Sequence, residues 1–182
     1  GSVIAERIRG QFSPLFDPAA EPLSESILNT NETIFQQTGY HLYNAQLAAA
    51  EALKRTLRQS KFAMLIAECG VGKSKIGLTA LESWRVEQGG SVHFNLILCP
   101  SHITGKWVRE IGETLPDALA AVVRTPSDIE ELYALHRKTH RTAYAVISKE
   151  TARDGYMRRP AVRWNPVKRA FVCPDCGKVV MM

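Results

Sequence analysis

Residues 67–74 read Ala-Glu-Cys-Gly-Val-Gly-Lys-Ser and crowd two glycines, an ammonium and a hydroxyl into five positions, 70–74. Gly70 and Gly72 free the backbone around Val71 to turn its N–H groups inward, which makes a concave anion site. Lys73 would set a cation against the outer phosphates of a polyphosphate, and the Ser74 hydroxyl is a ligand for Mg²⁺. The plain alternative is a chance glycine-rich turn. Context favours phosphate chemistry. The apolar run FAMLIA (62–67) predicts a buried strand before the loop, and residues 73–87 predict a helix after it, stopped by Gly89-Gly90. That helix would point the positive end of its dipole at the same anion.

The elements that must hold this loop follow from pattern. Residues 44–59 read as a helix with Asn44 as N-cap and Leu47, Ala50, Leu53 and Leu57 on one face. HFNLILC (93–99), ALAAVV (118–123) and AYAVIS (143–148) predict buried strands. Helices predicted over 104–115, with Trp107 and Ile111 on one face, and 127–138, opened by a Ser127…Glu130 capping box, separate them. Such alternation implies βαβ units, an α/β fold and a parallel sheet flanked by helices. Residues 1–40 read as an N-terminal extension with one short helix near 21–28 and Ser24 as a possible cap. Residues 41–150 form the α/β body, and 151–182 a basic segment.

The loop resembles the Walker A motif, with Ala67 in the first glycine position. Leu42-Tyr43-Asn44-Ala45-Gln46, ending 27 residues before Lys73, resembles the glutamine element that precedes that motif in superfamily 2 helicases. A glutamine amide can read an adenine edge because it offers a donor and an acceptor side by side. Leu98-Cys99-Pro100-Ser101-His102-Ile103, followed by Trp107 and Glu110, resembles motif Ia of Swi/Snf-related and phage-type DNA helicases. Residues 144–150 fall where motif Ib would stand. The chain thus resembles the first RecA-like P-loop lobe of a superfamily 2 DEAD/DEAH-type helicase. The resemblance implies ATP and Mg²⁺ held by Gln46, Gly70, Val71, Gly72, Lys73 and Ser74. It implies nucleic acid, DNA rather than RNA, at Ser101, His102, Ser148 and Lys149. Each has an ordinary reading as well: Gln46 as an exposed helix residue, Trp107 as core, residues 100–103 as a plain β–α turn.

The formal charge of +5 is uneven, because residues 137–182 carry 11 Lys/Arg against 3 Asp/Glu while residues 1–136 carry 12 against 15. A basic tail on a mildly acidic body fits a polyanion partner, and also fits a solvated arginine-rich loop. Arg158, Arg159 and Arg163, with Arg153, Lys168 and Arg169, would assist nucleic-acid binding, and the interleaved Tyr156 and Trp164 could stack on bases or pack the loop.

Cys173-Pro174-Asp175-Cys176-Gly177 looks like half of a zinc ribbon, two thiolates on a tight turn. A structural Zn²⁺ takes four ligands, so Cys173 and Cys176 would need a second pair from outside these residues. Free thiols and a redox pair are the alternatives. Cys69 and Cys99, in apolar surroundings, read as buried thiols. This usage fits a reducing, cytoplasmic compartment. No apolar run is long enough to span a bilayer, and GSVIAERIRGQF has no secretory h-region.

No Asp-Glu-x-His or Asp-Glu-x-Asp occurs in the 182 residues, so the acidic motif that would hold Mg²⁺ and orient water is missing. The opening Gly1-Ser2 reads as a cut start, and the chain as the first part of one lobe. Such a part would bind nucleotide without turning it over and would supply no catalytic residue of its own. Two other readings are a non-helicase P-loop ATPase subunit and a nucleic-acid-binding zinc module with a vestigial P-loop.

Overall fold

The structure is a computed structural model and describes residues 16–154, 162–174 and 176–180. Three helices come first: α1 (Glu25–Thr38), α2 (Asn44–Gln59) and α3 (Lys73–Glu87). The rest of the body alternates: β1 (Phe94–Cys99), a 3-10 turn at Ser101–Ile103, α4 (Thr104–Thr114), β2 (Leu119–Val123), α5 (Pro126–Thr139), β3 (Ala143–Ser148) and α6 (Lys149–Asp154). The strands form a three-stranded parallel sheet in the order β1-β3-β2. The fold is mixed α/β, as the alternation implies.

Central β3 is buried at every position, and its alternating side chains divide the core in two. Tyr144 and Val146 pack with Cys99, Ile111, Leu115, Leu78 and Ile34, so α1, α3 and α4 cover that face. Ala143, Ala145 and Ile147 pack with Val123 and Leu132, so α5 covers the other. Burial pushes the Tyr144 hydroxyl far above its ordinary range, with Glu82 adding to the rise and Arg85 opposing it. A further apolar cluster, Ile27, Leu42, Leu47, Ala50, Ile76 and Ala80, joins α1, α2 and α3.

Several expectations are corrected. The run 62–67 is not a strand: Phe62, Met64 and Ile66 are 75%, 75% and 85% exposed. An apolar run becomes a strand only beside a partner backbone, and no described strand pairs with it. Only Leu65 packs, against the α1–α3 cluster. Cys69 just after it is exposed, whereas Cys99 is buried as expected. The helix foreseen near 21–28 runs instead over Glu25–Thr38. Its Ile27 and Ile34, seven residues apart on one face, enter the core, and Gly39 ends it at φ 71°. α5 opens on Thr125 and Asp128 rather than Ser127 and Glu130, because Pro126 presets the first helical φ. The Asp128 carboxylate accepts the Arg124 and Thr125 N–H groups at 2.7 and 2.9 Å. These bonds hold it below the usual carboxylate range.

The basic segment, which lacks any period, contains an antiparallel pair, β4 (Arg163–Asn165) and β5 (Ala170–Val172). Asn165 Oδ1 makes the turn by accepting the Val167 and Lys168 N–H groups, each at 3.0 Å. Trp164 meets Phe171 edge to face at 5.2 Å. That contact is packing, although Trp164 remains half exposed. Arg158, Arg159 and Tyr156 lie outside the described residues.

Candidate phosphate-binding site

The glycines behave as their positions require. Gly70 and Gly72 take φ of 88° and 81°, in the left-handed region that side chains rarely adopt, and Gly72 caps α3. Lys73 begins that helix, and its Nζ bends back onto the carbonyls of Ala67 and Glu68 at 2.9 and 2.5 Å. The ammonium therefore sits over the mouth of the loop, held by two backbone oxygens of the loop itself. Ser74 follows in the first turn, partly buried.

Gln46 reaches the same place from α2. Its Oε1 accepts the Tyr43 N–H at 2.9 Å, which closes the first turn of the helix, and its Nε2 donates to the Val71 carbonyl at 2.9 Å. Residues separated by 25 positions in sequence are thus joined at the loop. Asn44 is the first residue of α2 rather than its cap, which is Tyr43.

Two aromatic features beside the loop were not legible in the sequence. Tyr43 is 71% exposed, and its ring stands 5.8 Å from His41, which in turn meets Phe35 at 5.5 Å. Lys75, two residues after Lys73, lies over the Tyr40 ring at 3.5 Å. Burial raises the Tyr40 hydroxyl, with Tyr43 and Glu110 adding to the rise. The only sequence signal for this cluster is the spacing Phe35, Tyr40, His41, Tyr43 just before α2.

The other candidate residues divide by element. The register pairs Cys99 with Ser148 and Val123 with Ile147, so the three parallel strands end together. Ser101 and His102 after β1, Arg124 and Thr125 after β2, and Ser148 and Lys149 at the end of β3 share that edge. Open α/β sheets bind ligands at the carboxyl ends of their strands. A six-residue connection returns α3 to β1, which puts the loop at the start of α3 on this same side. Ser101, His102 and Lys149 are exposed. Ser148 is buried, and its hydroxyl accepts the Thr151 N–H at 2.9 Å and donates to Thr151 Oγ1 at 3.0 Å. It caps α6 and has little left to offer a ligand.

In the C-terminal segment Arg163 is exposed on β4. Cys173 and Cys176 sit on a turn in which the Cys173 N–H donates to Lys178 O at 2.8 Å and the Gly177 N–H donates to Cys173 O at 2.9 Å. Gly177 makes the turn at φ 69°, and a bridge between Val172 and Val179 closes it into a small hairpin. Lys168 Nζ crosses to Gly177 O at 2.9 Å. Among the described residues no group of three or more His, Cys, Asp and Glu could hold a metal. None of their helices is long and apolar enough to cross a membrane.

No protein-family model matches the chain, and no curated protein matches it significantly in sequence.

Proposed function

We propose that this chain is the nucleotide-binding part of the first RecA-like lobe of an ATP-dependent motor acting on nucleic acid, DNA in the first instance. One observation carries the reading: Gln46 and the Gly70–Ser74 loop, far apart in sequence, meet through a 2.9 Å hydrogen bond. An amide beside a phosphate cradle suits an adenine nucleotide, the cradle for the phosphates and, for the base, the N–H and the lone pair that Gln46 keeps beyond its bonds to Val71 and Tyr43. Lys73 would leave the Ala67 and Glu68 carbonyls for the outer phosphates, and Ser74 would ligate Mg²⁺. Nucleic-acid backbone would cross the edge carrying Ser101, His102 and Lys149, where exposed side chains stand beside helix N-termini. With no acidic metal-binding motif in the 182 residues, the chain binds nucleotide but does not hydrolyse it.

Titration of the chain with ATP·Mg in a calorimeter tests this. Saturable binding that Lys73→Ala weakens by about tenfold or more supports it, and its absence overturns it. Lys73-dependent hydrolysis by these 182 residues would overturn the partial-lobe reading while leaving the nucleotide site standing.

A second reading concerns the Cys173–Cys176 hairpin. Backbone hydrogen bonds set Cys173 and Cys176 on one tight turn, the arrangement that would supply two corners of a tetrahedral Zn²⁺ site completed by a second thiolate pair. Co²⁺ titration reports thiolate ligation by colour. Ligation lost in Cys173→Ser and Cys176→Ser supports the half-site, and no cobalt–thiolate absorption counts against it.

A further inference from the structure

Lys54 is the one lysine among the described residues with a wholly buried side chain, at 0% exposure, and it lies at the opposite end of the α2–α3 contact from the phosphate loop. Burying an ammonium costs several kcal/mol unless its protons are satisfied. Here they are. Lys54 Nζ meets Glu87 Oε1 at 2.7 Å, Ser26 Oγ at 2.7 Å and Glu51 Oε2 at 3.0 Å, and it also meets Ser24 Oγ. Those partners come from the start of α1, from α2 itself and from the last residue of α3. Arg58 binds the other oxygen of Glu87, and Ser83 of α3 reaches Ser26 at 3.1 Å.

α2 and α3 run in the same direction. The first turn of α2 meets the residues just before α3 through Gln46, Val71 and Gly72, and Lys54 of α2 meets the end of α3 through Glu87. Gln46, Ala50 and Lys54 are spaced by four and form one stripe. Ala50, fully buried between the polar ends, permits close approach. Apolar contacts such as Leu47 and Ala50 on Ile76 and Ala80 hold the helices together but do not fix how far one slides along the other. Directional bonds at the two ends do. A slip of one residue is about 1.5 Å, enough to break the Gln46–Val71 hydrogen bond.

We infer that Lys54, with Glu87 and Ser26, is a positioning residue for the nucleotide site: it fixes the axial register of α2 against α3 and thereby holds Gln46 at the phosphate loop. The inference rests on the nucleotide reading above. It does not touch the phosphate contacts, which belong to the loop and α3 alone. Loss of Lys54 therefore acts on the base and spares the phosphates.

The test compares the affinity of the chain for ATP·Mg with its affinity for inorganic tripolyphosphate. In Lys54→Met, which keeps the stem and removes the charge, ATP affinity is expected to fall about tenfold, the scale of a lost bidentate base contact, while tripolyphosphate affinity holds within about twofold. Lys54→Arg should recover part of the ATP preference. Ser26→Ala, which removes one partner and leaves the ion pair, gives a smaller loss in the same direction and serves where Lys54→Met does not fold. Equal loss of both ligands, or loss of neither, overturns the inference with the nucleotide site intact. Failure of the unaltered chain to bind either ligand overturns the nucleotide reading itself, and this inference with it.

Discussion

A Cβ placed on Gly72 would lie 2.8 Å from Nε2 of Gln46. The Gln46 amide would have to move aside to admit it, and the backbone there is already at φ 81°. The left-handed backbone holds this position to glycine, and a side chain there would displace Gln46 as well. Gly72→Ala is expected to cost about 1–3 kcal/mol and to release Gln46 from Val71. Urea denaturation measures the first effect. Gly70→Ala, at a position with open space around it, separates the backbone cost from the clash.

The Lys73 ammonium is the ligand-facing charge of the proposed site. Lys73→Ala should leave the thermal transition within a few degrees of the unaltered chain, because its bonds are to loop carbonyls near solvent. It should weaken ATP binding by about 10- to 100-fold, the scale of a charge-assisted hydrogen bond. Calorimetry and a melting curve on the same samples check both halves.

Acid should loosen the α1–α2–α3 junction first. Burial acts to raise the Glu51 carboxyl, but hydrogen bonds from Ser24, Arg55 and Lys54 outweigh it and hold the group below its ordinary 4.5. Burial likewise acts to raise Glu87, and hydrogen bonds from Lys54, Ser26 and Arg58 hold it below the same value. A carboxyl lowered on folding stabilises fully above its unfolded value, and that contribution is lost as pH falls through the folded one. Stability should be level from about pH 7 to about pH 5 and decline below that. In Glu87→Gln the decline should be shallower. Denaturation midpoints across the range decide it.

The sheet core predicts a larger effect. Ile111 is fully buried between α4 and β3. Ile111→Ala should cost about 2–5 kcal/mol, as loss of buried methyl groups with a residual cavity does. Leu135→Ala on the outer face of α5, where the side chain is 44% exposed, should cost well under about 1 kcal/mol.

β1 is an edge strand, and its Leu96 and Leu98 are 64% and 54% exposed. Unpaired edges with apolar side chains associate. Sedimentation should show concentration-dependent self-association, reduced by Leu98→Lys with the fold retained. A monodisperse monomer at all concentrations would count against this.

The sequence marks α2, α3 and β3 at their observed limits, because each carries a local signal at both ends: Gly89-Gly90 after α3, the tight turn into Ala143, the apolar stripe from Leu47. It misleads at 62–67, where composition announces a strand but the pairing that makes one is a property of other segments. It only hints at α1: Ser24 does cap the helix, but ESILNTNETIFQQT is mostly polar, and its length is fixed by two isoleucines that find a core made elsewhere. The phosphate loop is legible because its chemistry is contiguous. Its partnership with Gln46 comes only through the resemblance, and the aromatic group at Tyr43 and the burial of Lys54 are not legible, because each depends on how helices distant in sequence pack.

The parallel alignment of α2 and α3 has an electrostatic consequence. Two helices with their amino ends at one corner add their positive poles there, beside Lys73 and Lys75, instead of cancelling as an antiparallel pair would. The Lys73 ammonium, turned onto two loop carbonyls, stands at that same corner. A multiply charged anion bound there would be stabilised by both helix ends and by Lys73 together.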